Sequence, residues 1–204
     1  TDTFTVVLDA QPDSDVVLSI SSSDSGEATT ASLLTFTSAN WDTAQTVTVT
    51  GVDDNLIDGT ITSTLTLAVV DAITDDNFDS VADQTVSVTT TDDDVAGFTI
   101  VESSGSTSVA GAGTTDTFTV VLDAEPASDV VLSISSVDTG EATVTSSLTF
   151  TSANWDTPQT VTVTGVDENF VDLDQTTEIT ASVLEVSSDD NFDSVADQTV
   201  SVTT

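Results

Sequence analysis

"TDTFTVVLDAQPDSDVVLSIS", residues 1–21, returns at residues 115–135 as "TDTFTVVLDAEPASDVVLSIS". The match continues: "LTFTSANWDTAQTVTVTGVD" at 34–53 reappears with one change at 148–167, and "DDNFDSVADQTVSVTT" at 75–90 reappears unchanged at 189–204. The offset is 114 residues throughout, without insertion or deletion, and about 66 of the 90 aligned positions are identical. Divergence concentrates between residues 57 and 74, and residues 91–114 alone have no counterpart. Self-similarity at a fixed period marks a tandem array. The two copies read as consecutive units of an array with more than two members. The expected domains are a first repeat at 1–94, missing its opening strand, and a second at 95–204, missing the acidic triplet that closes the first.

Within each unit the apolar residues alternate with polar ones, the period of a half-buried strand. Phe118, Val120 and Leu122 alternate with Thr119, Val121 and Asp123, and Val130, Leu132 and Ile134 repeat the pattern. The intervening Thr and Ser suit the solvated face of a sheet. Clusters of Asp, Ser, Gly, Asn and Pro separate the runs, and no segment reads as a helix of useful length. The second copy predicts strands A near 97–102, B near 115–123, C near 128–136, D near 141–150, E near 158–166, F near 175–186 and G near 197–204. The expected fold is all-β: tandem immunoglobulin-like antiparallel β-sandwiches of about seven strands each. The first copy begins at strand B, so an edge is uncovered unless a preceding unit or another chain supplies strand A.

Composition narrows function. The 204 residues carry 36 Asp and Glu and no Lys, Arg or His, for a formal net charge of −36. A hydrophobic content of 37% is enough for a core, which excludes a wholly disordered acidic tail. Nucleic acid and anionic membrane surfaces are excluded as partners, because both are bound through basic side chains. No apolar run reaches the roughly 20 residues of a membrane span. Cys and Tyr are absent too, which removes most nucleophile and base pairs. Carboxylate pairs of the glycosidase kind would arise by chance among so many acids, and no enzyme is expected.

In an antiparallel sandwich alternate loops collect at one end. The A–B, C–D and E–F loops share a pole with the end of strand G. In the first copy that pole receives Asp24 and Glu27, then Asp53, Asp54 and Asp58 from "GVDDNLIDG", then Asp92, Asp93 and Asp94. In the second it receives Glu102, Asp138, Glu141, Asp167, Glu168, Asp172 and Asp174. Carboxylates drawn from separate segments repel unless protonated or bridged by a cation. The chain supplies no cation, and an all-oxygen ligand set suits Ca2+ rather than zinc or copper. The competing reading is a dispersed, solvated acidic surface.

The opposite pole is also acidic. Asp75, Asn77 and Asp79 have EF-hand spacing, but Ser80 stands where that loop needs Gly and Val86 where it needs Glu. Either a weaker ion site or an ordinary Asx-rich turn fits. Trp41 and Trp155 in "SANWDT" could stack on a sugar or seal the core. "TVTVT" at 46–50 and 160–164 reads as the exposed face of a strand.

"GVDDNLIDG" before a strand, the closing "DDD", a glutamate ending strand A and "LTF" ahead of a turn together resemble the Calx-beta repeat, over essentially the whole 114-residue unit. The resemblance implies an immunoglobulin-like sandwich that binds Ca2+. Its ligands would be Glu102, the acid pairs Asp53–Asp54 and Asp167–Glu168, the triplet Asp92, Asp93 and Asp94, then Asp58 or Asp172, and Asp24 and Asp138. "SANWDT" and "DDNFDS" depart from the family pattern. The expected function is a calcium-binding structural repeat of a long extracellular adhesin stalk or filament, with Ca2+ stiffening the junctions between repeats. Its partners would be neighbouring repeats, with other copies in a filament as a further option. A carbohydrate-binding surface module and a subunit polymerising by strand donation are the alternatives.

Overall fold

The computed structural model describes residues 1–168 and 173–204, and they form two compact units. The first comprises Thr1–Asp54 and Asp58–Asp93, the second Asn55–Ile57 and Asp94–Thr204. Among the described residues there is no α-helix, and the strands pair antiparallel with one short exception.

The second unit contains β8 (Phe98–Glu102), β9 (Thr107–Ser108), β10 (Thr115–Leu122), β11 (Val130–Ser136), β12 (Ala142–Val144), β13 (Ser147–Phe150), β14 (Gln159–Gly165), β15 (Thr176–Val183) and β16 (Gln198–Thr203). One sheet has the order β12-β14-β10-β8, the other β13-β11-β15-β16-β9. The alternation read from the sequence is the cause. Phe118, Val120 and Leu122 from the first sheet meet Val130, Leu132, Ile134, Ile179 and Val202 from the second in one continuous core. Burying each such side chain stabilises the fold by about 1.5–3 kcal/mol.

Two features depart from the expected strands. The segment expected as a single strand D is β12 and β13, which belong to opposite sheets: Thr143 pairs with Thr164 of β14, while Leu148 pairs with Leu132 of β11. The chain changes sheets across Thr145 and Ser146, which keeps Ala142, Leu148 and Phe150 facing one core. Strand A likewise changes sheets, β8 pairing antiparallel with β10 and β9 parallel with β16.

The first unit has β1 (Asp2–Val6), β2 (Val16–Ser22), β3 (Ala28–Thr30), β4 (Leu33–Phe36), β5 (Gln45–Gly51), β6 (Ile61–Val69) and β7 (Gln84–Thr90). Its sheets are β1-β5-β3 and β4-β2-β6-β7. This is the pairing of the second unit without counterparts of β8 and β9, and β1 and β7 are therefore edges. The core responds. Phe118 is 1% exposed, whereas its repeat equivalent Phe4 is only half-buried. Val6, Leu8, Phe78, Val86 and Val88 are half-buried where Val120, Leu122, Phe192, Val200 and Val202 are buried. The buried residues of the first unit fall into two clusters instead of one.

The repeat-conserved turns are built by side chains. In "SANW" the Asn40 Oδ1 accepts hydrogen bonds from the Thr37 amide (2.6 Å) and hydroxyl (3.1 Å), and Asn154 does the same for Thr151 at 2.6 and 3.2 Å. Trp155 packs against the core, in keeping with a sealing role.

A steric contrast gives the first expected result. A Cβ on Gly165, at the end of β14, would stand 2.3 Å from the Ala110 carbonyl oxygen, whereas one on the equivalent Gly51 would meet nothing closer than the Thr90 methyl at 3.6 Å. Gly165→Ala should cost about 1–3 kcal/mol through overpacking. Gly51→Ala should be near neutral, and urea titration of the two variants checks the difference.

Candidate metal centre

The pole predicted to gather acids is fixed by backbone hydrogen bonds through one residue. The carbonyl of Glu27, after β2, accepts from the Val52 amide (2.9 Å) and the Thr90 hydroxyl (3.1 Å). These bonds bring the C–D turn, the end of β5 and the end of β7 together. The second unit repeats the first of them, the Glu141 carbonyl accepting from the Val166 amide at 2.9 Å.

Around Glu27 four of the acids placed at this pole act on one carboxyl. Its carboxyl is held above the ordinary carboxylate range, first by burial and then by the negative charges of Asp58, Asp24, Asp54 and Asp92. Four predicted residues from three segments therefore act on one half-buried acid. Strand parity places Glu27 at this pole, and "DSGEA" returning as "DTGEA" is a second sequence signal for it, although it has no counterpart in the ligand pattern that the family resemblance implies.

Asp92 Oδ2 accepts from the backbone amides of Asp58 (3.1 Å) and Gly59 (2.9 Å), which ties the start of the closing triplet to the loop after β5. Gly59 has φ 76, a left-handed conformation that favours Gly there. Asp24 turns one oxygen to the Gly26 amide (2.9 Å) of its own turn, and Asp138 does the same for Gly140 (2.9 Å). Asp53 and Asp93 are exposed, while Asp94 is half-buried and belongs to the second unit.

In the second unit Glu102 is half-buried at the end of β8, and its Oε2 accepts from the Thr107 hydroxyl at 2.8 Å. Asp167 and Glu168 are exposed after β14. Asp172 lies outside the described residues. Among the described residues, no group of three or more acidic side chains is arranged to hold a metal ion. The donors are oxygen only, which suits a hard cation by chemistry, and in the first unit Asp58, Asp24, Asp54 and Asp92 lie close enough to Glu27 for their charges to act on it.

At the opposite pole the turn reading accounts for Asp75. Its Oδ2 accepts from the amides of Asp13 (2.7 Å) and Ser14 (3.0 Å), and its Oδ1 from the Asn77 amide (3.0 Å) and side chain (2.8 Å). The hydrogen bonds from Asn77 and Ser14 hold this carboxyl below the usual range. Asp189 repeats the role, accepting from the amides of Ser128 (2.9 Å) and Asn191 (3.0 Å). This carboxylate caps a turn and pins the B–C loop. Asp189→Ala leaves those amides without their acceptor and should cost about 1–3 kcal/mol, which chemical denaturation would measure.

No family model matches the sequence, and no curated protein is significantly similar to it. Among solved structures the chain is similar over 91% of its length to the S-layer protein rSbsC(31-844), at 20% identity and a TM-score of 0.41, and it spans 19% of that chain. It is also similar to domains 4 and 5 of the S-layer protein SbsC, at 19% identity over 91% of this chain and 68% of that one, with a TM-score of 0.39. CBD12 from CALX1.2 aligns at 12% identity over 88% of this chain and 73% of that one, with a TM-score of 0.36. Likenesses this loose carry no argument about ligand or role.

Proposed function

We propose that the chain is a pair of calcium-binding structural repeats from a longer extracellular array, a stalk or filament. The carrying observation is the half-buried Glu27 surrounded by Asp24, Asp54, Asp58 and Asp92, with Asp92 tied to the 58–59 backbone, in a chain without one basic side chain. Calcium would be held by these oxygens, and what it supplies there is positive charge. The chain's own part is to position the loops: Asp92 holds the 58–59 backbone, and the Glu27 carbonyl holds β5 and β7. Extracellular modules of this type bind at about 10⁻⁴–10⁻³ M, so the sites fill outside the cell. The resulting function is mechanical, a pole whose repulsion is converted into cross-linking.

Charge linkage gives the sign of the pH effect. The folded first unit binds the Glu27 proton more tightly than the unfolded chain does. This group therefore lowers stability as pH rises from below its ordinary value of 4.5 through the raised one. Calcium opposes that loss by favouring the ionised form. Titration calorimetry should show saturable calcium binding to the whole chain, weakened by about tenfold or more in Glu27→Gln. Equal binding by that variant would remove Glu27 from the site.

A further inference from the structure

In the loop between β5 and β6 the Asp58 carboxyl stands next in the chain to the amide nitrogen of Gly59. This is the one Asp-Gly step in the sequence, and its repeat counterpart is Asp172–Leu173. We infer that Asp58–Gly59 is a site of spontaneous covalent modification, where Asp58 isomerises to isoaspartate through a cyclic imide, and that the Asp92 carboxylate is the clamp that sets the rate.

The chemistry needs only water. The Gly59 nitrogen attacks Asp58 Cγ: a Cγ–N bond forms, a Cγ–O bond breaks, and the oxygen leaves as water with the amide proton and the carboxyl proton. Water then opens the ring. Breaking the bond from nitrogen to Cγ restores aspartate, whereas breaking the bond from nitrogen to the main-chain carbonyl carbon gives isoaspartate. The main chain then runs through Cβ and Cγ, longer by a methylene, and the former main-chain carbonyl carbon carries the free carboxylate. A covalent change of this kind keeps the charge and moves it. Asp58 is one of the acids acting on Glu27, so the modification rearranges that neighbourhood.

The structure leaves this step accessible and holds it in check. Asp58 and Gly59 are exposed and lie outside the β5 and β6 ladders. Glycine has no side chain to shield its nitrogen, and even a Cβ built on Gly59 would meet nothing within 4 Å. Against closure stands Asp92, whose Oδ2 accepts from the Asp58 amide at 3.1 Å and the Gly59 amide at 2.9 Å. Turning the Gly59 nitrogen onto Asp58 Cγ breaks its hydrogen bond to a charged acceptor, which slows the reaction. The next most susceptible steps are Asp-Ser, where the serine side chain hinders approach. Two of them are also engaged otherwise: the Ser14 amide donates to Asp75 (3.0 Å), and the Asp24 carboxylate accepts from the Gly26 amide (2.9 Å).

The test ages the whole chain in chelator, so that its outcome is independent of the calcium reading. Chymotryptic digestion and electron-transfer fragmentation locate the isoaspartate, since a chain without Lys or Arg gives trypsin nothing to cut. Asp92→Ala, with hydrogen exchange in β6 and β7 showing it folded, should isomerise at position 58 about tenfold faster or more than the native chain. The native chain unfolded in urea should be faster than the folded one by a similar factor, which reads the clamp without any variant. In Asp92→Ala the product should appear at Asp58 ahead of Asp13, Asp24, Asp79 and Asp193, the residues that precede serine. Asp58→Glu should give none at this position. An unfolded chain that forms no isoaspartate at 58 overturns the site. Equal rates in the folded native chain and Asp92→Ala overturn the clamp, and so does a slower rate in the variant, which would make Asp92 the base that takes the amide proton.

Discussion

Phe118→Ala should destabilise the second unit by about 3–5 kcal/mol, whereas the same change at Phe4 should cost the first unit only about 1–2 kcal/mol. The two residues occupy equivalent positions in nearly identical strands, with Phe118 opposite Val161 and Phe4 opposite Val47. What differs is the cover. Phe118 is enclosed with Phe98, Val163 and Val202, and its removal leaves a cavity that close-packed neighbours cannot fill. Phe4 faces an open groove, so part of the vacated space is already solvent. Urea unfolding followed by hydrogen exchange, unit by unit, would read both changes. Equal costs would mean that the first unit is as well packed as the second.

Asp92→Ala should have the second large effect. The carboxylate accepts from two backbone amides, and hydrogen bonds to a charged acceptor contribute about 1.5–3 kcal/mol each at most. Asp92 is half-buried, and losing it also relieves repulsion on Glu27, so the net cost in chelator should be smaller, about 1–2 kcal/mol. In calcium the cost should grow, because the variant loses a ligand as well as a loop anchor. A cost independent of calcium would assign Asp92 to loop anchoring alone.

Much of this was legible in the sequence, and the reasons are local. Alternation in "TFTVVL" and "VVLSIS", interrupted by Val121 and Val131, marks which residues face the core, and the constant offset of 114 residues gives the period. Strand parity put Asp24, Asp54, Asp58 and Asp92 at one pole, where they act together on Glu27. The sheet change within strand D was not legible, since "ATVTSSLTF" alternates on both sides of its break. Nor was β9, two residues in a Ser, Thr and Gly run whose pairing depends on β16, distant in sequence. The Asx reading of Asp75 needed its long-range partners, because the amides of Asp13 and Ser14 lie 62 and 61 residues away.

Calcium at the pole of the first unit is the central claim, and thermal unfolding of the whole chain tests it most directly. Scans in calcium, in magnesium at equal ionic strength and in chelator separate a specific site from general screening of a chain with net charge −36. Saturation at about 10–100 times the dissociation constant should add about 1.4–2.7 kcal/mol, raising the midpoint by at least about 5 °C. Magnesium should do much less, because it needs a smaller and more rigid octahedral cage. A midpoint that is unmoved by calcium, or moved equally by magnesium, would contradict the account.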